Sequence, residues 1–228
     1  MSKILGIITA RGGSKGVPGK NLKQVAGQPL IVWTIEQAKK SKQLDRLILS
    51  SEDQEIIAVA RNNGCEVPFV RPIELAGDGT LTIEVVLHAL KILKDKYDYV
   101  VLLQPTSPLR AAADIDGCIE MCLKTKANSC VSVVEAGKSL YWTFSVDREN
   151  HLRPLISTEK FILRRQDLPK AYTLNGAVYC ARVDWLLEKK AFVTEETMAY
   201  VMPAERSLDI DSEYDLKVAE ALLGDKIR

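Results

Sequence analysis

Ala10-Arg-Gly-Gly-Ser-Lys-Gly-Val-Pro-Gly-Lys-Asn21 packs four glycines and three bases, with no acid, into twelve residues near the start of the chain. Glycines let backbone N–H groups close on an anion. Arg11, Lys15 and Lys20 would neutralise phosphate charge there. The pattern is not the GxxxxGK[ST] phosphate loop, which requires Gly where Ser14 stands and Ser or Thr where Asn21 stands. It also lacks GxGxxG, which argues against a dinucleotide-dependent oxidoreductase. Near the other end, Asp209 and Asp211 are separated by one residue. In an extended segment that spacing turns both carboxylates to one side, and hard oxygen ligands suit a Mg2+ ion bridging phosphates. The competing reading makes the pair a cap and a dipole partner for the last helix.

These two features divide the charge. Residues 1–46 hold nine bases against two acids, and residues 195–228 hold nine acids against four bases. The whole chain balances 31 bases against 30 acids over 228 residues, a net +1. Bulk-charge binding of nucleic acid is therefore not expected, and no apolar run reaches the roughly 20 residues that span a bilayer. Cys65, Cys118, Cys122, Cys130 and Cys180 form no CxxC pair, and two histidines give them little metal-binding company. They read as buried thiols of a reducing compartment. The opening residues run into a strand pattern with no signal-peptide architecture, so a cytoplasmic protein is expected. No Gly-x-Ser-x-Gly elbow supports a serine hydrolase.

Strands must hold these loops. Ile4–Thr9, Leu47–Ser50, Val67–Val70, Tyr99–Leu103 and Cys130–Val134 read as strands. Between them lie helical patterns opening at Pro29, capped by Asp53, running from about Thr82 to Lys94, and covering Ala113–Lys124. This alternation predicts a three-layer α/β/α domain with a mainly parallel sheet, and ligands beyond the carboxyl ends of the strands. The loop after Thr9 and the Gln104-Pro-Thr-Ser-Pro108 loop both lie at such ends. The rhythm breaks at residues 136–172, where Tyr141, Trp142, Phe144 and Phe161 stand among scattered charge; irregular strands or hairpins are expected. Asn175–Ala181 and Ala199–Met202 read as strands, Val183–Lys189 as a short helix, and Asp211 or Ser212 as the cap of a last helix ending near Leu223. The whole chain, 1–228, reads as one domain with an insertion.

The first loop resembles that of sugar nucleotidyltransferases, and its longer form, running through Leu22, closely resembles the N-acylneuraminate cytidylyltransferases, which make CMP-sialic acid and CMP derivatives of related nine-carbon acids. The resemblance continues in order through Arg71-Pro-x-Glu-Leu-Ala76 and Leu103-Gln-Pro-Thr-Ser-Pro-Leu-Arg110. It goes on through Arg165-Gln-x-x-Pro169, Asn175-Gly-Ala-Val-Tyr179 and Asp209-Ile-Asp-Ser-Glu-x-Asp-Leu216. The resemblance implies a Rossmann-like nucleotidyltransferase fold. It implies that Arg11, Gly13, Ser14, Lys15 and Lys20 bind the triphosphate of CTP, with Asn21, Arg71 and Thr82 shaping the cytosine and ribose site. Gln104, Thr106, Arg165, Asn175 and Tyr179 would line the acidic-sugar pocket, and Asp209 and Asp211 would hold Mg2+. Arg11, Lys20 and the two aspartates would carry the catalysis.

It further implies a homodimer in which the 136–172 insertion is the dimerisation element. Thr82 stands where the family commonly has Ser, Thr173 where some sialic acid enzymes have Arg, and Trp142 where a base can occur. Those departures open the choice of sugar to legionaminate or another nonulosonate. A 3-deoxy-octulosonate cytidylyltransferase is the alternative among enzymes. A nucleotide-binding regulator without catalysis is the alternative outside them, and would predict a damaged loop or aspartate pair.

Overall fold

The computed structural model describes residues 2–14, 16–156 and 164–227, without the side chains of Arg165 and of residues 225–227. In chain order its strands are β1 (Ile4–Thr9), β2 (Gln24–Val25), β3 (Gln28–Pro29), β4 (Arg46–Ser50), β5 (Tyr99–Leu103), β6 (Ser129–Glu135), β7 (Phe144–Val146), β8 (Leu152–Pro154), β9 (Tyr172–Arg182) and β10 (Met198–Val201). The helices are α1 (Leu30–Lys40), α2 (Gln54–Asn62), α3 (Thr82–Ile92), α4 (Ala112–Thr125), α5 (Val183–Lys189) and α6 (Glu213–Ile227).

Six strands form the central sheet in the order β10-β6-β9-β5-β1-β4. All its pairings are parallel except those of β9, which runs antiparallel between β5 and β6. Alternation along β1 and β5 decides the two faces. Ile4, Ile8, Val101 and Leu103 meet α1, α2 and α4, while Leu5, Ile7, Val100 and Leu102 meet α3 and α5. Each layer is therefore apolar by a two-residue period in the strands and a helical period in their covers. A third core joins the chain's two ends: Val17 of the Gly-rich loop and Ile210 are both fully buried with Leu216, Ala219 and Leu223.

Helix boundaries follow side-chain chemistry. Asp53 accepts the Glu55 and Ile56 N–H groups at 2.9 and 3.0 Å and starts α2. Gly64, at φ +78°, closes that helix, and Cys65 N–H then returns to the Ala60 carbonyl. The expected Val67–Val70 strand does not form. A single parallel bridge, Ile48 to Glu66, takes its place. Pro68 brings no N–H to extend a ladder, and Val70 is 52% exposed. The described part of the insertion holds the β7–β8 hairpin, while Phe161 lies outside the described residues. All five cysteines are buried free thiols. Among the described residues no helix is long and apolar enough to cross a membrane.

Candidate active site

A cavity of about 410 Å³ opens beyond the carboxyl ends of β1 and β5. Arg11, Gly13, Ser14, Lys20, Asn21, Arg71, Thr82, Gln104, Thr106, Asp209 and Asp211 all line it. Residues up to 200 positions apart thus reach one wall, and close backbone approach makes this possible. At Gly16 a Cβ would collide with the Asp211 carbonyl oxygen, so the loop can lie against the acidic segment only without a side chain there. The Lys20 ammonium donates to the Ile210 carbonyl at 2.5 Å and stands 3.7 Å from Asp211 Oδ1. The Asn21 amide donates to the Arg11 carbonyl at 3.0 Å, fixing the loop from inside. Arg11 spans the cavity mouth to Asp78, 2.9 Å away.

Asp209 and Asp211 occupy different environments. Ile210, between them, donates its N–H to the Thr106 carbonyl at 2.9 Å, tying this segment to the loop after β5. Burial raises the Asp209 pKa above the ordinary carboxylate range, and Asp211 adds to the effect, against the Thr106 hydroxyl and Lys20. Among the described residues its Oδ1 is buried without a hydrogen-bond partner. Asp211 is 83% exposed on its side chain. Neither carboxylate caps α6. Ser212 Oγ accepts the Asp215 N–H at 3.3 Å, and Asp215 returns to the Ser212 N–H at 2.8 Å, a reciprocal box that serves the helix start. The start of α6 is therefore capped by Ser212 and Asp215 rather than by this pair.

Gly176 lies directly beneath the site. Its φ is +72°, and a Cβ there would stand 2.9 Å from Gln104 Oε1 and 3.1 Å from Asp209 Oδ2. The backbone reaches this shape through a break in the β6–β9 ladder. Val131 faces Tyr179 and Val133 faces Leu174, so residues 175–178 bulge opposite Ser132 alone. The Ser132 hydroxyl supplies the lost ladder bonds: it accepts the Val178 N–H at 2.8 Å and donates to Asn175 Oδ1 at 2.6 Å.

The remaining expected residues are placed differently. Asn175 is buried behind the wall, its amide nitrogen donating to Ser207 Oγ at 3.0 Å. Tyr179 packs on Phe192, ring centres 5.7 Å apart, and its pKa is raised by burial and then by Asp209. Neither residue lines the cavity. Lys15 and the Arg165 side chain lie outside the described residues. Four further residues contribute. Asp78 and Thr80 line the cavity from the loop that follows the Arg71–Ala76 motif. Glu52 accepts the Gly12 N–H at 2.8 Å and pairs with Arg71. Arg110, the last residue of the Leu103–Arg110 motif, is fully buried. It donates to the Gln104 and Ala177 carbonyls at 3.1 and 2.7 Å and to the Thr34 hydroxyl at 2.6 Å. Burial pushes its pKa down to about 9, against the pull of Asp114, so it stays charged at neutral pH.

Comparison with known proteins adds to this geometry. Residues 5–222 match the family described as cytidylyltransferase. The CMP-N,N'-diacetyllegionaminic acid synthase of Legionella pneumophila is 34% identical over 226 residues, covering 97% of this chain and 96% of that one. The N-acylneuraminate cytidylyltransferase of Escherichia coli O18:K1:H7 is 33% identical over 229 residues, covering 96% of this chain and 51% of that one. Among solved structures, a CMP:2-keto-3-deoxy-manno-octonic acid synthetase complexed with CTP superposes with a TM-score of 0.75 at 16% identity. It covers 99% of this chain and all of that one, a likeness of fold.

Proposed function

The chain belongs to the cytidylyltransferase family, and on that premise we propose that it joins CTP to a nine-carbon acidic sugar of the nonulosonate class, releasing pyrophosphate. Legionaminate and N-acetylneuraminate are the leading substrates. The observation that carries the reading is the meeting, on one cavity wall, of a Gly-rich loop bearing Arg11 and Lys20 with two carboxylates from the far end of the chain. One set suits a triphosphate and the other a divalent cation that accompanies it.

In this reaction the C2 hydroxyl of the sugar attacks the α-phosphorus of CTP, and the bond to pyrophosphate breaks in line. Catalysis of this kind rests on positioning and on neutralising charge that grows on the phosphate oxygens. Arg11 and Lys20 bind those oxygens, with Ser14 and the Gly13 backbone beside them. Asn21, Arg71 and Thr82 hold the nucleoside end, while Gln104 and Thr106 orient the sugar. Arg165 suits the sugar carboxylate, which a guanidinium binds through two parallel hydrogen bonds.

Asp209 and Asp211 would hold Mg2+. The Oδ1 of Asp209, buried without a partner among the described residues, supports this, since it needs a cation or a donor, and hard carboxylate oxygens suit Mg2+. Mg2+ held there would supply positive charge to the phosphates. The insertion at residues 136–172 joins two copies into a homodimer, and the five free thiols suit the cytoplasm.

Incubation with CTP, Mg2+ and a panel of nonulosonic acids, followed by pyrophosphate release, tests the reading. Turnover with at least one nine-carbon acid is expected. Turnover only with an octulosonate, or with none, would overturn it.

A further inference from the structure

The turn leaving β4 is fastened to the Gly-rich loop and its surroundings at each residue. The Ser50 carbonyl accepts the Ala10 N–H at 3.2 Å, and the Ser51 carbonyl accepts the Arg71 N–H at 2.9 Å. Glu52 Oε1 accepts the Gly12 N–H at 2.8 Å. The Asp53 carboxylate occupies the space that a Cβ on Gly12 would need.

Glu52 does most in this turn. Its Oε2 receives Nε of Arg71 at 3.1 Å and also Nη2, which in addition donates to the Ala10 carbonyl at 2.9 Å. The Arg71 side chain is 3% exposed and that of Glu52 is 12%. One edge of the guanidinium is thus committed to the protein, and Nη1 is the nitrogen left on a side chain that lines the cavity. Glu52 itself is not part of the cavity wall. An unscreened carboxylate beside a triphosphate would repel it, whereas behind Arg71 its charge is neutralised.

We propose, resting on the cytidylyltransferase reading above, that Glu52 is a positioning residue. One carboxylate aims Arg71 at the nucleoside of CTP and, through Gly12, holds the phosphate-binding backbone in register with it. Charge is needed for this. A glutamine retains an acceptor for Gly12 but cannot hold the Arg71 edge with an ion pair.

The test begins with the wild type. Absence of CTP turnover would remove the family reading, and the role of Glu52 with it, before any variant is made. Given turnover, Glu52→Gln is expected to raise KM for CTP about tenfold or more, with a smaller change in kcat and an unchanged KM for the sugar. Its preference for CTP over UTP is expected to fall as well. Combined with Arg71→Lys, it should give a KM no worse than the poorer single variant, because both changes break one unit. An unchanged KM in a folded Glu52→Gln enzyme, or full multiplication of the two single effects, would overturn the proposal. Should Glu52→Gln not fold, Glu52→Asp carries the test. It keeps the charge but is one methylene too short to reach Gly12 and Arg71 together. A raised KM for CTP is expected there too, and a wild-type KM would overturn the proposal.

Discussion

Among the described residues, Asp209 keeps a carboxylate oxygen buried with nothing to bond. Burial raises its pKa, so above that value the ionised group weakens the fold, and below the ordinary carboxylate range the cost vanishes. Such a cost on the wall of the cavity, beside Lys20 and Asp211, marks a residue retained for chemistry. Asp209→Asn removes the charge and keeps the shape. It is expected to lower pyrophosphate release by about 10²-fold or more, while thermal unfolding without divalent cation occurs at the same or a higher temperature. Near-normal release would reject Asp209 as a cation ligand. His88 shows the opposite case, a titratable group with a structural place. Its Nδ1 is buried without a partner among the described residues, its ring stands edge-on to Phe69 at 5.4 Å, and its pKa is lowered by burial, then Arg71 and Lys91. The unfolded chain takes up this proton near pH 6.5 and the folded one resists it, so stability is lost as pH falls below about 6.5. Urea melts at pH 7.5 and 5.5 should show a smaller acid loss in His88→Leu than in the wild type. Equal losses would exclude His88 as the source.

At the scale of elements, the site depends on how the segment after β10 is delivered. Arg206 sends Nε and Nη2 to the two oxygens of Asp114, both at 2.9 Å, and Asp114 is fully buried at the start of α4. Asp114 also accepts the Ala111 N–H, so one carboxylate starts a helix and anchors the turn that leads to Asp209. Arg206→Ala leaves that charge buried and unpaired. A loss of about 3 kcal/mol in urea unfolding is expected, together with reduced kcat as Asp209 and Asp211 lose their register. A loss under about 0.5 kcal/mol would mean that the pair is screened like a surface bridge. None of this was legible in the sequence, where Arg206 and Asp114 are 92 positions apart and look like ordinary surface charge. The strands were legible, because Ile4–Thr9 and Tyr99–Leu103 are apolar runs bounded by loops. The placement of the Gly-rich loop at the end of β1 was legible for the same local reason. Asn175 was misleading: its type suited a sugar hydroxyl, but a four-residue bulge opposite Ser132 turns its amide inward. Only the pairing register contains that information, and register is not a local property.

At the scale of the whole molecule, a net charge of +1 conceals a basic start and an acidic end that fold onto each other through Val17 and Ile210. The proposed homodimer would use instead the apolar side chains that the insertion leaves exposed. Val146 and Leu152 oppose each other on β7 and β8, each 63% exposed, with Leu155 and Ile156 following. Tyr172 and Leu174 are exposed on one side of β9, immediately before the Asn175–Val178 bulge that supports the site. A two-stranded hairpin is marginal alone, and exposed apolar side chains on it would suit the interface of the proposed homodimer. In a twofold dimer the same patch meets itself, and cover over Tyr172 and Leu174 would brace the strand beneath Gly176. Leu152→Glu puts charge into that contact. Sedimentation equilibrium at micromolar concentration should show a wild-type dimer and a variant shifted to monomer. Because the contact continues into β9, the variant should also show a raised KM for the sugar and an unchanged KM for CTP. A fully active wild-type monomer would reject the dimer, and a monomeric variant with wild-type kinetics would separate assembly from catalysis.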